Sequence, residues 1–173
     1  FLYLAKNYNC LLQIGGSDQW GNITCGVDLI RKKMNKEAYG LTLPLVTKSD
    51  GQKFGKTEKG NIWLDKELTS PYKLYQFLFN VDDKDVIKFL KYFTFLSLEK
   101  IKNLEESLKE KPEERLAQKT LAFEIVSFIH GEKEAEKAQK ISEALFNKGI
   151  NNLKKDELEE LFKTMPIIKI KEK

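Results

Sequence analysis

The 173 residues are 41% hydrophobic and 32% charged, with a formal net charge of +4. That balance excludes an intrinsically disordered chain, and no apolar run reaches the roughly 20 residues that a membrane-crossing helix needs. Cys10 and Cys25 form no Cys-x-x-Cys pair and make no four-ligand zinc set with His130, the single histidine, so two reduced buried thiols are expected.

In chain order, residues 1–9 read as an amphipathic helix, with Leu2, Leu4 and Ala5 among polar neighbours. Cys10-Leu11-Leu12-Gln13-Ile14 is a short apolar run stopped by Gly15-Gly16, the pattern of a buried parallel strand. Ser17 or Asp18 is then expected to cap a helix reaching about Lys36, with Ile23, Val27 and Ile30 spaced by four and three. Gly40 closes that unit. Leu41–Val46 is expected as a second strand, with Pro44 implying an edge position or a bend. Thr47–Asn61 lacks periodicity and is rich in glycine and lysine, with a turn at Ser49-Asp50-Gly51-Gln52. A loop of that length without a stripe of its own is usually functional or disordered. Ile62-Trp63-Leu64 is a short apolar stop after it.

The pattern changes at Thr69-Ser70-Pro71, where Ser70 caps and Pro71 occupies the first helical position. From there the chain predicts helices only. They cover 71–80, a second opening at Asp82-Asp83, a third at Ser97, a fourth at Pro112-Glu113-Glu114, a fifth to about Asn147 and a short sixth over about 156–163. The fourth ends at Gly131 and is expected to be central, because Leu121, Ala122, Ile125, Val126, Phe128 and Ile129 make a stripe too broad for a surface helix. Tyr72, Tyr75, Phe77 and Phe79 are expected in the core, against the preceding domain and not as stacking platforms. His130 is expected to be a structural helix-end residue.

Charge is unevenly placed. Residues 1–70 carry ten Lys or Arg against seven Asp or Glu, whereas residues 71–173 carry twenty against nineteen. The excess accompanies Lys53-Phe54-Gly55-Lys56-Thr57, two lysines three apart around a glycine, followed by a hydroxyl. Such a cluster suits a mobile loop that closes over a polyphosphate: glycine admits the backbone, ammonium groups offset charge and the hydroxyl donates. Arginine occurs only at Arg31 and Arg115, so phosphate contacts rest mainly on lysines, as point charges. Upstream, Gln13-Ile14-Gly15-Gly16-Ser17-Asp18-Gln19 offers a strand end, two glycines that admit a ribose, and a carboxylate to accept from its hydroxyls. Asp18 as a mere helix cap is the competing reading. With four lysines and three glycines in residues 48–60, that loop is expected to be open and mobile until phosphate neutralises it.

Together and in this order, Gly-Gly-Ser-Asp-Gln-Trp-Gly-Asn (15–22) and Lys-Phe-Gly-Lys-Thr (53–57) resemble class I aminoacyl-tRNA synthetases, and specifically the bacterial-type tyrosyl enzymes. The resemblance continues through Gly40–Thr47, Ile62–Asp65, Thr69–Tyr72, Tyr92–Leu96, Ala117–Ala122 and Ile141–Phe146. It implies an α/β remnant, the C-terminal part of a Rossmann-type nucleotide-binding domain, over residues 1–68. An all-α helical bundle that binds the anticodon would follow over 69–165, and a linker toward a further RNA-binding module over 166–173. It implies ATP contacts at Gly16, Asp18, Lys53, Lys56 and the backbone of Leu45 and Val46, catalytic roles for Lys53, Lys56 and Thr57, and substrate-side roles for Gln19 and Gln13. ATP as substrate with accompanying Mg2+, tyrosine, tRNA(Tyr), a homodimeric parent and a cytoplasmic setting follow from the same resemblance, with no resident metal and no membrane.

No His-x-Gly-His-type signature occurs and the chain opens on Phe1, so a fragment cut at both ends is expected, one that cannot catalyse the full reaction alone. Two alternatives remain beside the tyrosyl reading. One is a fragment of the tryptophanyl enzyme, which shares the fold and a Gly-x-Asp-Gln segment. The other is a non-catalytic helical RNA-binding or scaffolding module.

Overall fold

The computed structural model describes residues 1–52, 54–57, 60–146 and 150–162. They fall into two compact units, residues 1–54 and 55–173.

The first unit begins with α1 (Leu2–Tyr8), which packs on α2 (Trp20–Met34). Between them runs β1 (Leu12–Gly16), parallel to β2 (Tyr39–Leu43), in register from Leu12 opposite Tyr39 to Gly16 opposite Leu43. Two parallel strands demand a long crossover, and α2 supplies it. Ala5, Ile30 and Ala38 form a small core with Phe1, Leu2 and Met34 around it.

Several expectations shift here, each for a local reason. The strand does stop at the double glycine, but both glycines are part of it, paired with Thr42 and Leu43, and β1 ends at Gly16. Neither Ser17 nor Asp18 caps α2. Residues Ser17–Gln19 make a 3-10 turn, and Gln19 precedes the helix without a side-chain capping bond. Helix α2 stops at Met34 because Asn35 turns left-handed (φ 51°) and its N–H returns to the Arg31 carbonyl at 3.0 Å. Gly40 lies within β2, which starts at Tyr39, two residues before the predicted start at Leu41, and the strand ends at Leu43 because Pro44 has no N–H for the ladder. Helix α2 covers one face of the pair. On the other, Leu12, Ile14, Leu41 and Leu43 are exposed, so within these residues the strands are half-buried and not fully buried as predicted.

The second unit opens with a minimal antiparallel pair, β3 (Lys56–Thr57) and β4 (Gly60–Asn61), inside what the sequence presents as plain loop. Gly55 (φ 86°) and Gly60 (φ 111°) hold backbone angles that L side chains rarely adopt, and this is what allows so short a pair. Ile62 extends it by donating to the Gly55 carbonyl at 3.1 Å. Thr69, buried, accepts the Trp63 N–H at 3.0 Å and so ties the segment to the first helix.

The remaining described elements are helical: α3 (Pro71–Phe79), α4 (Asp83–Phe93), α5 (Leu98–Glu110), α6 (Leu116–His130), α7 (Glu132–Phe146) and α8 (Lys155–Phe162). Ser70 and Ser97 accept from the N–H groups of Lys73 and Lys100, as N-caps do. Helix α6 packs against α3, α4, α5 and α7, which makes it central as expected. Its stripe is narrower than predicted. Leu121, Ala122 and Val126 are buried, but Phe128 is 71% exposed and meets Phe95 edge-on at 5.4 Å. The start of α6 also differs. Pro112–Glu114 form a separate 3-10 turn, and Arg115 is left-handed (φ 51°) between the two. Its guanidinium donates to the carbonyls of Phe79 at 2.7 Å and Val81 at 3.4 Å and lies 5.1 Å over the Phe79 ring. Tyr72, Tyr75 and Phe79 are core residues of this unit, on a helix that packs against α6 and α7.

Candidate nucleotide site

In the first unit, β1 delivers Gly15 and Gly16 to the end of the strand, and the Ser17–Gln19 turn returns the chain toward α2. The turn brings Asp18 back over Gly16. A Cβ at Gly16 would sit 2.7 Å from Asp18 Oδ1 and 2.9 Å from Leu45 Cδ2, too close for any side chain to fit unchanged. The missing side chain at Gly16 therefore lets a carboxylate and an apolar side chain close in on its backbone side by side. Its own backbone is extended (φ −72°, ψ 159°), so the glycine is required by close approach and not by backbone strain.

Asp18 makes no capping bond, so the competing explanation of that residue has no geometric support. A carboxylate at the carboxyl end of a parallel strand can accept from vicinal hydroxyls of a ligand bound beyond that strand end. Leu45 is partly exposed and offers an apolar wall. The Val46 carbonyl accepts the Phe54 N–H at 3.2 Å, which uses one of its two lone pairs.

Gln19 lies against Gly15, with its Cβ 3.4 Å from where a Gly15 Cβ would be. Its Oε1 accepts from Asn22 Nδ2 at 3.2 Å, a link one helical turn long that the sequence reading missed, although the i, i+3 spacing was its signal. That bond occupies the acceptor end of the amide and leaves Gln19 Nε2 to donate. Gln13 is on the α2 side of β1, its Oε1 3.7 Å from where a Gly26 Cβ would be. Gly16, Asp18 and Leu45 thus converge, with Gln19 adjacent on Gly15 and Gln13 on the face toward α2.

The lysine cluster is described only in part. Lys53 lies outside the described residues. Lys56 and Thr57 form β3, opposite Asn61 and Gly60. Before the cluster, the Lys48 backbone N–H donates to the Gln52 carbonyl at 2.8 Å and Asp50 accepts the Gln52 N–H at 2.9 Å, which closes the predicted turn.

The helical unit has a cavity of about 470 Å³ lined by Tyr75, Phe79, Arg115, Lys119, Ser142 and Glu143, among others. Burial, with Glu143 nearby, raises the Tyr75 hydroxyl well above the ordinary tyrosine range. Among the described residues no group of three His, Cys, Asp or Glu is placed to hold a metal ion, and no helix is long and apolar enough to cross a membrane.

Residues 1–147 match the family described as tRNA synthetases class I (W and Y). The tyrosine–tRNA ligase of Geobacillus stearothermophilus is 61% identical over 167 residues, 96% of this chain and 40% of its own length. That of Pediococcus pentosaceus is 55% identical over 175 residues, all of this chain and 42% of its own. Among solved structures, a C-terminally truncated mitochondrial tyrosyl-tRNA synthetase from Aspergillus nidulans superposes with a TM-score of 0.70 at 35% identity, covering 83% of this chain and 41% of that one. The chain spans about 40% of the length of the curated relatives it matches. By its matched residues and by the tyrosyl enzymes that resemble it, the chain belongs to the class I tRNA synthetases (W and Y), on the bacterial-type tyrosyl side.

Proposed function

We propose that these residues form the end of a Rossmann-type nucleotide-binding domain and the helical anticodon-binding domain of a tyrosine–tRNA ligase, with the boundary near residue 69. In that reaction a tyrosine carboxylate oxygen attacks the α-phosphorus of ATP, pyrophosphate leaves, and the tyrosyl group of the adenylate then passes to tRNA(Tyr). No covalent bond to the protein is needed, so catalysis rests on positioning and on stabilising charge at the leaving phosphates. The observation that carries the reading is the convergence of Asp18 and Leu45 on Gly16, which sets an acceptor and an apolar wall side by side at the strand end, as suits a nucleoside.

In this reading Asp18 accepts from the ribose, Gly16 lets it approach, and the backbone of Leu45 and Val46 faces the adenine edge. Gln19 donates to the tyrosyl side, and Gln13 supports it. Lys53, Lys56 and Thr57 bind the phosphates in the transition state, in a loop that closes on ATP; Mg2+ accompanies ATP as part of the substrate. A donor used only in the transition state raises kcat without tightening the ground state. The parent is a homodimer, and the present residues alone do not support tyrosine-dependent pyrophosphate exchange. Tyrosine is preferred to tryptophan because the relatives at 55–61% identity are tyrosine–tRNA ligases.

The test is stopped-flow adenylate formation by the full-length protein. Lys53→Ala and Lys56→Ala are each expected to slow it by about 100-fold or more, the loss of roughly 2.7–4 kcal/mol typical of an oxyanion-hole donor, with little change in tyrosine affinity. Rates within twofold of the parent would remove the loop from the mechanism. Absence of equilibrium ATP binding by these residues would favour the non-catalytic helical module instead.

A further inference from the structure

We propose that Ile23, wedged between Gly15 and Gly40, is a positioning residue that sets where Asp18 lies over Gly16. The inference rests on the nucleotide reading of Gly16 and Asp18 and extends it to three residues that touch no ligand. Ile23 is 1% exposed and sits one helical turn after Gln19 in α2. Its two branches enter gaps in two neighbouring strands. A Cβ at Gly40 in β2 would lie 2.5 Å from Ile23 Cγ2, and a Cβ at Gly15 in β1 would lie 3.1 Å from Ile23 Cδ1. Both strands thus lack a side chain where this isoleucine descends, and α2 rides lower on the pair than it could over any other residue.

The same α2 continues from the Ser17–Gln19 turn, so its height sets the position of the turn. A β-branched side chain in a helix has essentially one χ1 rotamer. Ile23 therefore cannot swing aside from a methyl at position 40, and the helix must lift. Restoring an ordinary contact of 3.4 Å or more from 2.5 Å needs nearly 1 Å of movement. A misplacement of about 1 Å can cost about 100-fold in rate.

The two methyls make the proposal separable from general loss of packing. Ile23→Val deletes Cδ1 and keeps Cγ2; Ile23→Leu removes the branch at Cβ that carries Cγ2. In the full-length protein, held well below the melting temperature of each variant, Gly40→Ala is expected to raise KM for ATP tenfold or more while circular dichroism remains that of the parent. Adding Ile23→Leu should return KM to within about threefold, and adding Ile23→Val should not. Gly15→Ala, a milder intrusion that keeps the measurement available should Gly40→Ala fold poorly, should show the reverse preference and be relieved by Ile23→Val. A lowered Tm with unchanged KM for ATP would make the contact purely structural and overturn the proposal, as would equal rescue by valine and leucine. Asp18→Asn, run in parallel, separates the underlying reading. If it leaves KM for ATP unchanged the nucleotide assignment fails, and the packing claim is then decided by whether amide exchange of residues 17–19 quickens in Gly40→Ala and recovers only with Ile23→Leu.

Discussion

A methyl group on Gly16 is the smallest change that tests the nucleotide site directly. It would stand 2.7 Å from Asp18 Oδ1 and 2.9 Å from Leu45 Cδ2, against 3.4–4 Å for ordinary contact, so both neighbours must retreat by about 0.5–0.7 Å. Gly16 is extended, so Gly16→Ala adds no backbone strain and the effect reports the contact alone. If Asp18 accepts from a nucleotide hydroxyl, its displacement forfeits a hydrogen bond to a charged group, about 1.5–3 kcal/mol, or roughly 10- to 150-fold in kcat/KM for ATP. The assay is ATP–pyrophosphate exchange by the full-length protein at saturating tyrosine, with ATP varied and folding followed by circular dichroism. A folded Gly16→Ala protein whose ATP dependence lies within twofold of the parent would refute the assignment of Gly16 and Asp18 to the nucleotide.

Other consequences concern the helical unit. Arg115→Ala removes the guanidinium bond to the Phe79 carbonyl and is expected to cost about 1.5–3 kcal/mol in denaturant unfolding, whereas Arg115→Gly should cost about 1 kcal/mol less, because glycine accepts φ 51° freely; equal stabilities would contradict the strain at that residue. Leu121→Ala, at a fully buried position of α6, should cost about 2–5 kcal/mol, and Phe128→Ala no more than about 1.5 kcal/mol, the worth of its aromatic pair with Phe95; a reversed order in thermal melts would show that α6 buries the other face. Glu157 accepts Lys140 Nζ at 2.9 Å through both carboxylate oxygens and the Lys154 N–H at 2.7 Å, and the lysine bond is the main reason its carboxyl is held below the ordinary glutamate value. The folded state then binds that proton more weakly than the unfolded state. The contribution is complete above about pH 4.3 and is lost as pH falls through the folded value. Protection factors of α8 amides, corrected for the intrinsic pH dependence of exchange, should fall below about pH 4 in the parent and change less with pH in Lys140→Met.

Local chemistry written in the chain was enough for most of the helical unit. Ser70-Pro71 and Ser97 start helices because a hydroxyl reaches an N–H three residues on, and Gly131 ends one because it can take φ 92°. These are short-range effects, settled within a turn by residue type, and they are legible without a fold. The motif wording likewise pointed to the family before any geometry was known. What tertiary structure decided were the places where a distant partner outweighs local preference. Arg115 turns left-handed and delays α6 past the acidic turn at Pro112–Glu114, because the Phe79 and Val81 carbonyls, more than thirty residues away, hold its guanidinium. Phe128 sits outside a stripe that periodicity put inside, because α6 meets its four neighbours with Leu121, Ala122 and Val126. Gly15 and Gly16 read as a strand stop, and β1 does end at Gly16, but both are themselves paired strand, since β2 supplies partners and Ile23, Asp18 and Leu45 fill the space their missing side chains leave. A glycine in sequence says only that a side chain is absent. Which atoms occupy the vacancy, and so whether the residue only ends an element or also lets other side chains close in on it, is settled only when the strands and α2 are packed together.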